Sequence, residues 1–433
     1  MPTTPKGLAE VLVQKNYEFI KPLQVRAGIG RILGVGVLLA EGEEHKLQRK
    51  NLAPAFAFRH VKDLYPSFWS KSCELVRAIQ SATKAESKEQ VTDNQPAPVV
   101  EIGQWTSRAT LDIIGAAGMG HDFKTIENPD AEILSTYRKV FQPSGQAKFL
   151  GILSLFVPFW MIRILPLQRN DDIRTAAAVI RRVCRQLIQQ KQATLGQGEK
   201  SSGKDIISVA LESKAFSEDN LVDQMMTFLA AGHETTATAM IWAVLALCRN
   251  PEYQKRLREE VRKHLPSTND DSIPVTSEIL DKLPFLHAVC NEVLRMYAPV
   301  PISLREAAND TSIQGHYIPA GTRVIVAIKA VNMSKALWGP DVAQFNPDRW
   351  MGPGRANNGG AESNYSYLTF LHGPRSCIGQ AFAKAEFACL LAGLVGRYEM
   401  ELDEPHLDFK IQTGITARIK GGLKVRMKEL EGW

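Results

Sequence analysis

The residues with the clearest chemical potential lie near the C-terminus, in the stretch Phe370 to Gly379, which reads F-x-x-G-x-R-x-C-x-G. Cys377 precedes a helical pattern, and a helix dipole with free N–H groups favours a thiolate. Gly373 permits a tight turn, and Gly379 permits a close approach of the backbone to a flat ligand. Arg375 can offer a fork of donors to a carboxylate. A soft anionic sulfur beside such a clamp is suited to an iron porphyrin.

A second polar cluster, Ala231-Gly-His-Glu-Thr-Thr236, interrupts the longest predicted helix, Ser217 to Arg249. Gly232 lets the backbone open or approach a ligand, and Thr235 can bond back to the carbonyl of Ala231. The alternative is a solvated acid with two helix threonines, which the apolar residues on both sides disfavour. His233 is assigned to structure, because the segment lacks the second histidine of an H-E-x-x-H metal site.

Two further pairs have helical spacing. His45 and Arg49 are four residues apart and share one helix face, as do Glu292 and Arg295 at three residues. Each pair alone is compatible with a solvated surface, where an ion pair contributes about 0–1 kcal/mol. We therefore assign a function to these pairs only in combination with the cysteine loop.

Together these stretches resemble the haem-thiolate monooxygenases of the cytochrome P-450 family, and most of all its eukaryotic, fungal members. All five fixed positions of the family's cysteine loop are present, and four motifs follow the family's order. A lone cysteine is more often an inert core residue, but five fixed residues within ten positions outweigh that alternative. The resemblance implies a mainly α fold with small β-sheets, in which haem lies between the long central helix and the cysteine-loop helix. It covers residues 1–433 as a single domain.

The resemblance assigns a role at a haem b cofactor to each matching residue. Cys377 becomes the axial ligand of the iron, as cysteine is in this family. Residues implied to hold the macrocycle or its propionates are His45, Arg49, Arg305, Phe370, Gly373, Arg375 and Gly379. Glu292, Arg295 and Arg349 are implied to form a buried triad that locks the cysteine loop, with no part in the chemistry.

The implied reaction inserts one oxygen atom of O2 into a hydrophobic small molecule of secondary or lipid metabolism. Glu234 supplies protons and Thr235 steers them. Electrons come from a separate NADPH-dependent flavoprotein reductase, since the chain has no G-x-G-x-x-G unit. A basic surface with Arg375 and Lys384 is expected to meet that partner.

Two other functions compete with this one. A haem-thiolate isomerase or dehydratase would act without O2 and without a reductase, which the Glu234–Thr235 pair disfavours. A truncated, inactive remnant would have no enzymatic function. The apolar residues expected to line a substrate pocket are Phe228, Leu229, Ile302, Leu304 and Ile415, together with a loop over 23–40.

Composition agrees with a globular enzyme. Of 433 residues, 44% are hydrophobic and 23% charged, with a net charge of +6. No basic run with interleaved aromatic residues indicates a nucleic-acid site, and six scattered cysteines without a C-x-x-C pair argue against zinc or a disulfide framework.

Localisation is predicted from the resemblance and from hydropathy. Family members of this type reach the endoplasmic reticulum through an N-terminal anchor. No uninterrupted apolar run of 18 residues occurs here, so we expect an N-terminally short chain that is cytosolic or in peripheral membrane contact, and monomeric.

Periodicity predicts the elements that position these residues. Helices are predicted over 5–22, 60–83, 170–192 and 217–249. Alternating residues predict a hairpin over 313–328, with its turn at Pro319–Gly321, and short strands over 402–428.

Overall fold

The computed structural model describes residues 1–433 except 89–96, 142–144, 154–156, 158, 197–204, 271 and 407. The α-helices are α1 (Pro5–Ala9), α2 (Leu23–Leu33), α3 (Gly42–Leu52), α4 (Phe58–Asp63), α5 (Tyr65–Lys88), α6 (Ile102–Ile113), α7 (Glu132–Phe141), α8 (Gly145–Leu153), α9 (Phe159–Ile164), α10 (Gln168–Gly196), α11 (Ile206–Glu212), α12 (Glu218–Cys248), α13 (Pro251–His264), α14 (Ser277–Leu280), α15 (Pro284–Met296), α16 (Ile328–Asn332), α17 (Lys335–Trp338) and α18 (Gln380–Arg397). The strands are β1 (Phe19–Ile20), β2 (Val99–Glu101), β3 (Ser303–Ala307), β4 (Thr311–Ile313), β5 (His316–Ile318), β6 (Arg323–Val326), β7 (Tyr398–Leu402), β8 (Ile411–Thr413), β9 (Ala417–Ile419) and β10 (Lys424–Glu429). The predicted fold class is confirmed, while the single-domain organisation stays a prediction.

The described strands form small antiparallel sheets. β3 lies between β1 and β6, with Phe19 opposite Ala307 and Arg305 opposite Val324. β10 lies between β2 and β7, and two hairpins pair β4 with β5 and β8 with β9. The first sheet therefore carries Arg305 on its central strand. The β8–β9 hairpin lies outside both three-stranded sheets.

The predicted hairpin over 313–328 is wrong in its pairing. The hairpin turn lies at Gln314 and Gly315, between β4 and β5, and both residues have positive φ. β6 pairs with β3 instead, because Val324 and Val326 bury their side chains in the core that Phe19 shares.

The predicted loop over 23–40 is also wrong in its first half, which forms α2. Each glycine in a helix costs about 1 kcal/mol against alanine, but Ile32 and Leu33 reach the main core and offset that cost. Gly34 then ends the helix with a φ of +68°, a conformation that glycine adopts most readily.

The central helix α12 is apolar on nearly all sides, as expected of a helix buried within a core. The Ser217 hydroxyl accepts the Asn220 N–H at 3.3 Å and caps its start, where Glu218 and Asp219 suit the helix dipole. α12 packs against α6, α10 and α18. It therefore crosses the molecule beside the helix that follows the cysteine loop.

A buried carboxylate on α15 joins that helix to the segment Asn346 to Trp350. Glu292 accepts two hydrogen bonds from the Arg295 guanidinium, each of 2.8 Å, and one of 3.2 Å from Arg349. The Asn346 N–H and the Trp350 indole complete five donors, at 3.0 and 2.9 Å. The three charged residues of the predicted triad thus lie together, and every lone pair of Glu292 is engaged.

Asn332, which the sequence analysis missed, links this network to the cysteine loop. Arg295 donates to the Asn332 carbonyl at 3.0 Å. The Asn332 amide in turn accepts the Leu368 N–H at 2.8 Å and donates to the Thr369 hydroxyl at 2.8 Å. The segment that leads into the cysteine loop is therefore connected by hydrogen bonds to the buried ion pair.

We predict that Glu292→Gln lowers the free energy of unfolding by about 3–5 kcal/mol, because it strands two buried guanidinium groups and offers donors where acceptors are needed. Denaturant unfolding measures this loss. As a control, Asp171→Asn breaks the exposed 2.6 Å pair with Arg174 and should cost less than about 1 kcal/mol. Equal losses in the two variants would contradict the role given to Glu292.

Candidate active site

The cysteine loop is shaped by its own backbone. The Cys377 N–H donates to the Phe370 carbonyl at 2.8 Å, and the Ser376 N–H to the Gly373 carbonyl at 3.0 Å. Gly373 has a φ of +80°, and a Cβ there would lie 2.3 Å from the Leu12 carbonyl oxygen. Glycine is required at this turn, as the sequence predicted.

The backbone conformation at Gly379 is one that residues other than glycine also adopt. It is the N-cap of α18 with an ordinary φ of −90°, and a Cβ would make normal contact with the Phe56 ring at 3.7 Å. The close approach of a ligand to Gly379 stays a prediction, since the backbone conformation alone does not require glycine there. The same contact places Phe56 between the loop and α12, since its ring centroid lies 5.3 Å from that of Phe228.

Cys377 has an accessible side chain in a part of the protein where other groups are buried. Cys73, Cys184, Cys290 and Cys389 are buried, whereas Cys377 is exposed. Surrounding protein nevertheless raises the pKa of the Cys377 thiol, while the Gly379 N–H and the Arg49 charge oppose that rise. A thiol that is both enclosed and accessible faces an internal space.

Four cations lie near one another beside this loop, namely Lys21, Arg49, Arg305 and Arg375, hereafter the cationic cluster. Glu41 accepts the Lys21 N–H at 2.8 Å and pairs with the Arg375 guanidinium. Burial lowers the pKa of Lys21 to about 7, with Arg305 and Arg375 adding to the effect. Burial, then Arg375, lowers the pKa of Arg305 to about 10. Positive charge therefore exceeds the negative charge supplied by Glu41.

Unsatisfied donors point to where further negative charge belongs. Among the described residues, Nε of Arg305 and Nε of Arg375 are buried and have no hydrogen-bond partner. The remaining Arg305 bonds go to the Ser303 hydroxyl at 2.8 Å and the Leu304 carbonyl at 2.9 Å. Arg49 donates to the Ser376 carbonyl at 2.6 Å and so touches the cysteine loop directly.

His45 lies within the same charged region. It is 2% exposed, and its Nδ1 lies 2.9 Å from the Tyr17 hydroxyl. Burial is the main cause that lowers the His45 pKa to about 4, and the four members of the cationic cluster add to it. The imidazole is therefore neutral at pH 7.

Thr235 makes the contact that its spacing predicts. Its hydroxyl donates to the Ala231 carbonyl at 2.8 Å. Ala231 is exposed although the preceding turn of α12 is buried, so this side of the helix borders an open space. For Gly232 the role beside a ligand stays a prediction, and the structure adds a packing reason, because a Cβ there would lie 2.7 Å from the Ile114 side chain. It permits close helix packing.

Glu234 has partners that the sequence analysis missed. It is 5% exposed, accepts the Thr416 hydroxyl at 2.7 Å and pairs with the Arg418 guanidinium. Both partners follow the turn of the β8–β9 hairpin. The sequence signal, a threonine and an arginine two residues apart, is too common to indicate this contact.

The predicted pocket residues separate into two groups. Ile302 and Ile415 are 52% and 42% exposed, and Leu304 is half-buried. Leu229 has no accessible surface and Phe228 very little. Leu229 is therefore a core residue, because its side chain leaves α12 on the packed face.

The predicted basic docking surface is wrong for Arg375, while for Lys384 it stays a prediction. Arg375 is buried and donates to Glu41 and to the carbonyls of Asn16 and Phe19. Burial lowers the pKa of Lys384, whose ammonium lies 5.8 Å from the centre of the Phe370 ring. Arg375 is therefore not free to meet a partner protein, whereas Lys384 keeps part of its surface accessible.

Comparison with known proteins identifies the family of this chain. It belongs to the cytochrome P450 family, whose model matches residues 2–423. The cytochrome P450 monooxygenase sphH of Aspergillus fumigatus is 48% identical over 435 residues, or 100% of this chain and 79% of that protein. The cytochrome P450 monooxygenase FUM15 of Gibberella moniliformis is 43% identical over 472 residues. The cytochrome P450 monooxygenase ALT8 of Alternaria alternata is 42% identical over 483 residues. Each alignment covers 99% of this chain, and 79% and 81% of the relatives.

The chain is accordingly an oxidoreductase of the monooxygenase class, and membership implies a haem-thiolate cofactor with a small-molecule substrate and a redox partner. The residues fit that cofactor. An accessible thiol faces an internal space, and buried, unpaired Nε donors with excess positive charge suit two propionates. None of the described helices combines the length and the apolar character needed to cross a membrane.

We predict that His45 makes the folded protein less stable in acid. Between about pH 6.5 and 4 the unfolded chain binds a proton at His45 that the folded chain does not. The unfolded state then holds more protons, so stability falls as pH falls. His45→Gln should reduce that loss by about 1–3 kcal/mol. Denaturant unfolding at several pH values measures the difference.

The exposed His264 supplies the control, because His264→Gln should leave the pH dependence unchanged. Part of the acid loss should persist in His45→Gln, since burial also lowers the pKa of His233 to about 4. Parallel stability curves for wild type and His45→Gln would contradict the prediction.

Proposed function

We propose that this protein is a haem b-dependent monooxygenase that inserts one oxygen atom of O2 into a hydrophobic small molecule, with electrons from an NADPH-dependent flavoprotein reductase. The observation that carries the proposal is the accessible Cys377 thiol at the N-terminus of α18, flanked by the cationic cluster. Family membership supports the same reaction class.

Several residues around the cysteine loop would each contribute to binding the cofactor. A haem bound here supplies the iron at which O2 is reduced. Cys377 would supply the thiolate that holds the iron, and Arg49 fixes the loop carbonyl beside it. Arg305 and Arg375 would offer their unpaired Nε donors to the propionates. His45, kept neutral, would donate its Nε2–H to the cofactor in the tautomer whose Nδ1 accepts the Tyr17 hydroxyl.

Phe370 and Gly373 shape the cysteine loop, and Gly379 starts the helix that follows it. Glu292, Arg295 and Arg349 keep the loop in place through Asn332. Lys21 adds a fourth cation that the motifs do not identify. A carboxylate near Lys21 would favour its charged form and so offset the burial that lowers its pKa.

Proton supply is assigned to α12. Thr235 holds its hydroxyl at the accessible edge of the helix, bonded to Ala231. Glu234 lies one residue before it and is the nearest acid in the sequence motif. We assign Glu234 the uptake of protons and Thr235 their orientation toward the site.

The substrate is proposed to be a bulky apolar molecule of fungal secondary or lipid metabolism. Ile302, Leu304 and Ile415 present accessible apolar surface for it. The names of these relatives state the monooxygenase reaction and no substrate. We further propose a monomer that acts in the cytosol or in peripheral contact with the endoplasmic reticulum.

Product analysis with a partner reductase and apolar candidate substrates tests the proposal. Product should require NADPH, the reductase and O2 together. Turnover of a peroxide substrate without reductase or O2 would instead identify an isomerase or dehydratase.

We predict that Cys377→Ala abolishes the red-shifted Soret band of the reduced, CO-treated protein, because no other thiolate is available at the loop. Cys248→Ala is the matched control and should keep the band, since that partly buried thiol lies at the end of α12. A band that survives in Cys377→Ala would refute the ligand assignment, and its absence in wild type would refute the proposed function.

We predict that Thr235→Ala keeps the CO band but lowers product per NADPH at least about tenfold and raises peroxide release, because proton delivery is impaired. Thr238→Ala is a close control, since Thr238 makes the same kind of bond to the Glu234 carbonyl at 2.9 Å. If both variants lose coupling equally, the effect belongs to helix geometry and the role of Thr235 is wrong.

A further inference from the structure

The Glu234 carboxylate is held by two side chains that lie outside the central-helix motif. The Thr416 hydroxyl donates to Oε1 at 2.7 Å, and the Arg418 guanidinium pairs with the same oxygen. Arg418 Nε also donates to the Thr416 hydroxyl at 3.2 Å. The three residues form a closed group, hereafter the acid clamp, that joins α12 to the β8–β9 hairpin.

The hairpin presents both partners on one side. Thr416 is the last residue of the turn and Arg418 lies on β9, and both side chains contact the same carboxylate oxygen. The Ala417 N–H donates to the Pro299 carbonyl at 2.8 Å, and its carbonyl accepts the Trp242 indole N–H at 2.9 Å. Trp242 is itself on α12, so the hairpin is fixed to the helix that carries Glu234.

The clamp keeps Glu234 apart from Thr235. Adjacent helix residues do not face each other, and the Thr235 hydroxyl is bonded to the Ala231 carbonyl. A guanidinium and a hydroxyl donor both favour the ionised carboxylate. In this arrangement Glu234 is charged, oriented toward the hairpin and not toward the accessible edge of α12.

We propose that Arg418 and Thr416 are positioning residues that set when Glu234 takes up and releases its proton; the proposal rests on the monooxygenase function proposed above. Glu234 accepts one proton from solvent and gives one up on the Thr235 side, so the acid is regenerated and no electrons move. The clamp holds the resting carboxylate ionised and restricts its swing to Thr235.

The other charged groups near the clamp are few in the described part of the chain. Glu101, at the end of β2, interacts with Arg418 and opposes the effect of burial, which lowers the Arg418 pKa. His233, on α12, is neutral because burial lowers its pKa to about 4. Neither replaces Arg418 as a partner of Glu234.

Infrared titration of the purified, haem-loaded enzyme tests the clamp directly. The signal of the protonated Glu234 carboxyl is identified by its loss in Glu234→Gln. Arg418→Gln should move the titration of that signal upward by about 1–3 pH units, and Thr416→Val should move it less. Arg418→Lys keeps the charge and should stay near wild type. Lys420→Gln changes an exposed charge just past the same strand and should leave the signal in place.

The pH profile of NADPH oxidation with a purified fungal reductase tests the link to turnover. It should move in Arg418→Gln in the same direction as the infrared titration and return in Arg418→Lys, while the CO band remains. Identical titrations in Arg418→Gln and Lys420→Gln would overturn the clamp. A moved titration with an unmoved profile would overturn its role in proton delivery. Absence of reductase-dependent NADPH oxidation in wild type would refute the proposed function, and the infrared result would still decide the clamp.

Discussion

The whole arrangement depends on keeping one sulfur accessible inside a packed protein. A loop around an internal space has few apolar contacts of its own, so other elements must hold it. Glu292 does so through Arg295 and Asn332, which fixes the chain at Leu368. On the other side, Gly373 packs against the Leu12 carbonyl. A fully satisfied buried network rigidifies a structure, which is what an open thiol requires.

The excess of positive charge next to the loop has an energetic consequence. Buried cations without partners are costly, and the Lys21 pKa of about 7 is a direct expression of that cost. Negative charge brought by a ligand would relieve it. Because a ligand that binds the folded state alone stabilises that state, cofactor loading and stability should rise together in this protein.

Sequence reasoning was most successful where the deciding contacts are local. The Thr235 bond to Ala231 and the Glu292–Arg295 pair follow from helical spacing, and the family motif identified the fold class. It failed where a side chain's direction depends on packing, as for Leu229 in the core and Arg375, which is buried and paired with Glu41.

Contacts between distant segments were predicted only where the family motifs name both residues, as for Glu292 and Arg349. The others could not be predicted. Lys21 and Arg375 meet across most of the chain, and Arg418 reaches Glu234 from another element. No local pattern records such a meeting, because each residue alone looks like an ordinary surface cation. The motif glycine Gly232 also has a packing partner that the motif does not reveal, namely Ile114.

The polar residues of α12 show how an apolar helix can carry chemistry. Each finds its partner on a different side: His233 bonds the Leu229 carbonyl, Glu234 reaches the hairpin, and Thr235 turns back to Ala231. Buried polar groups cost free energy unless they are paired, so this division satisfies all three. It also leaves Thr235 as the motif side chain at the accessible edge, and any proton held by Glu234 must pass that edge to reach the open space.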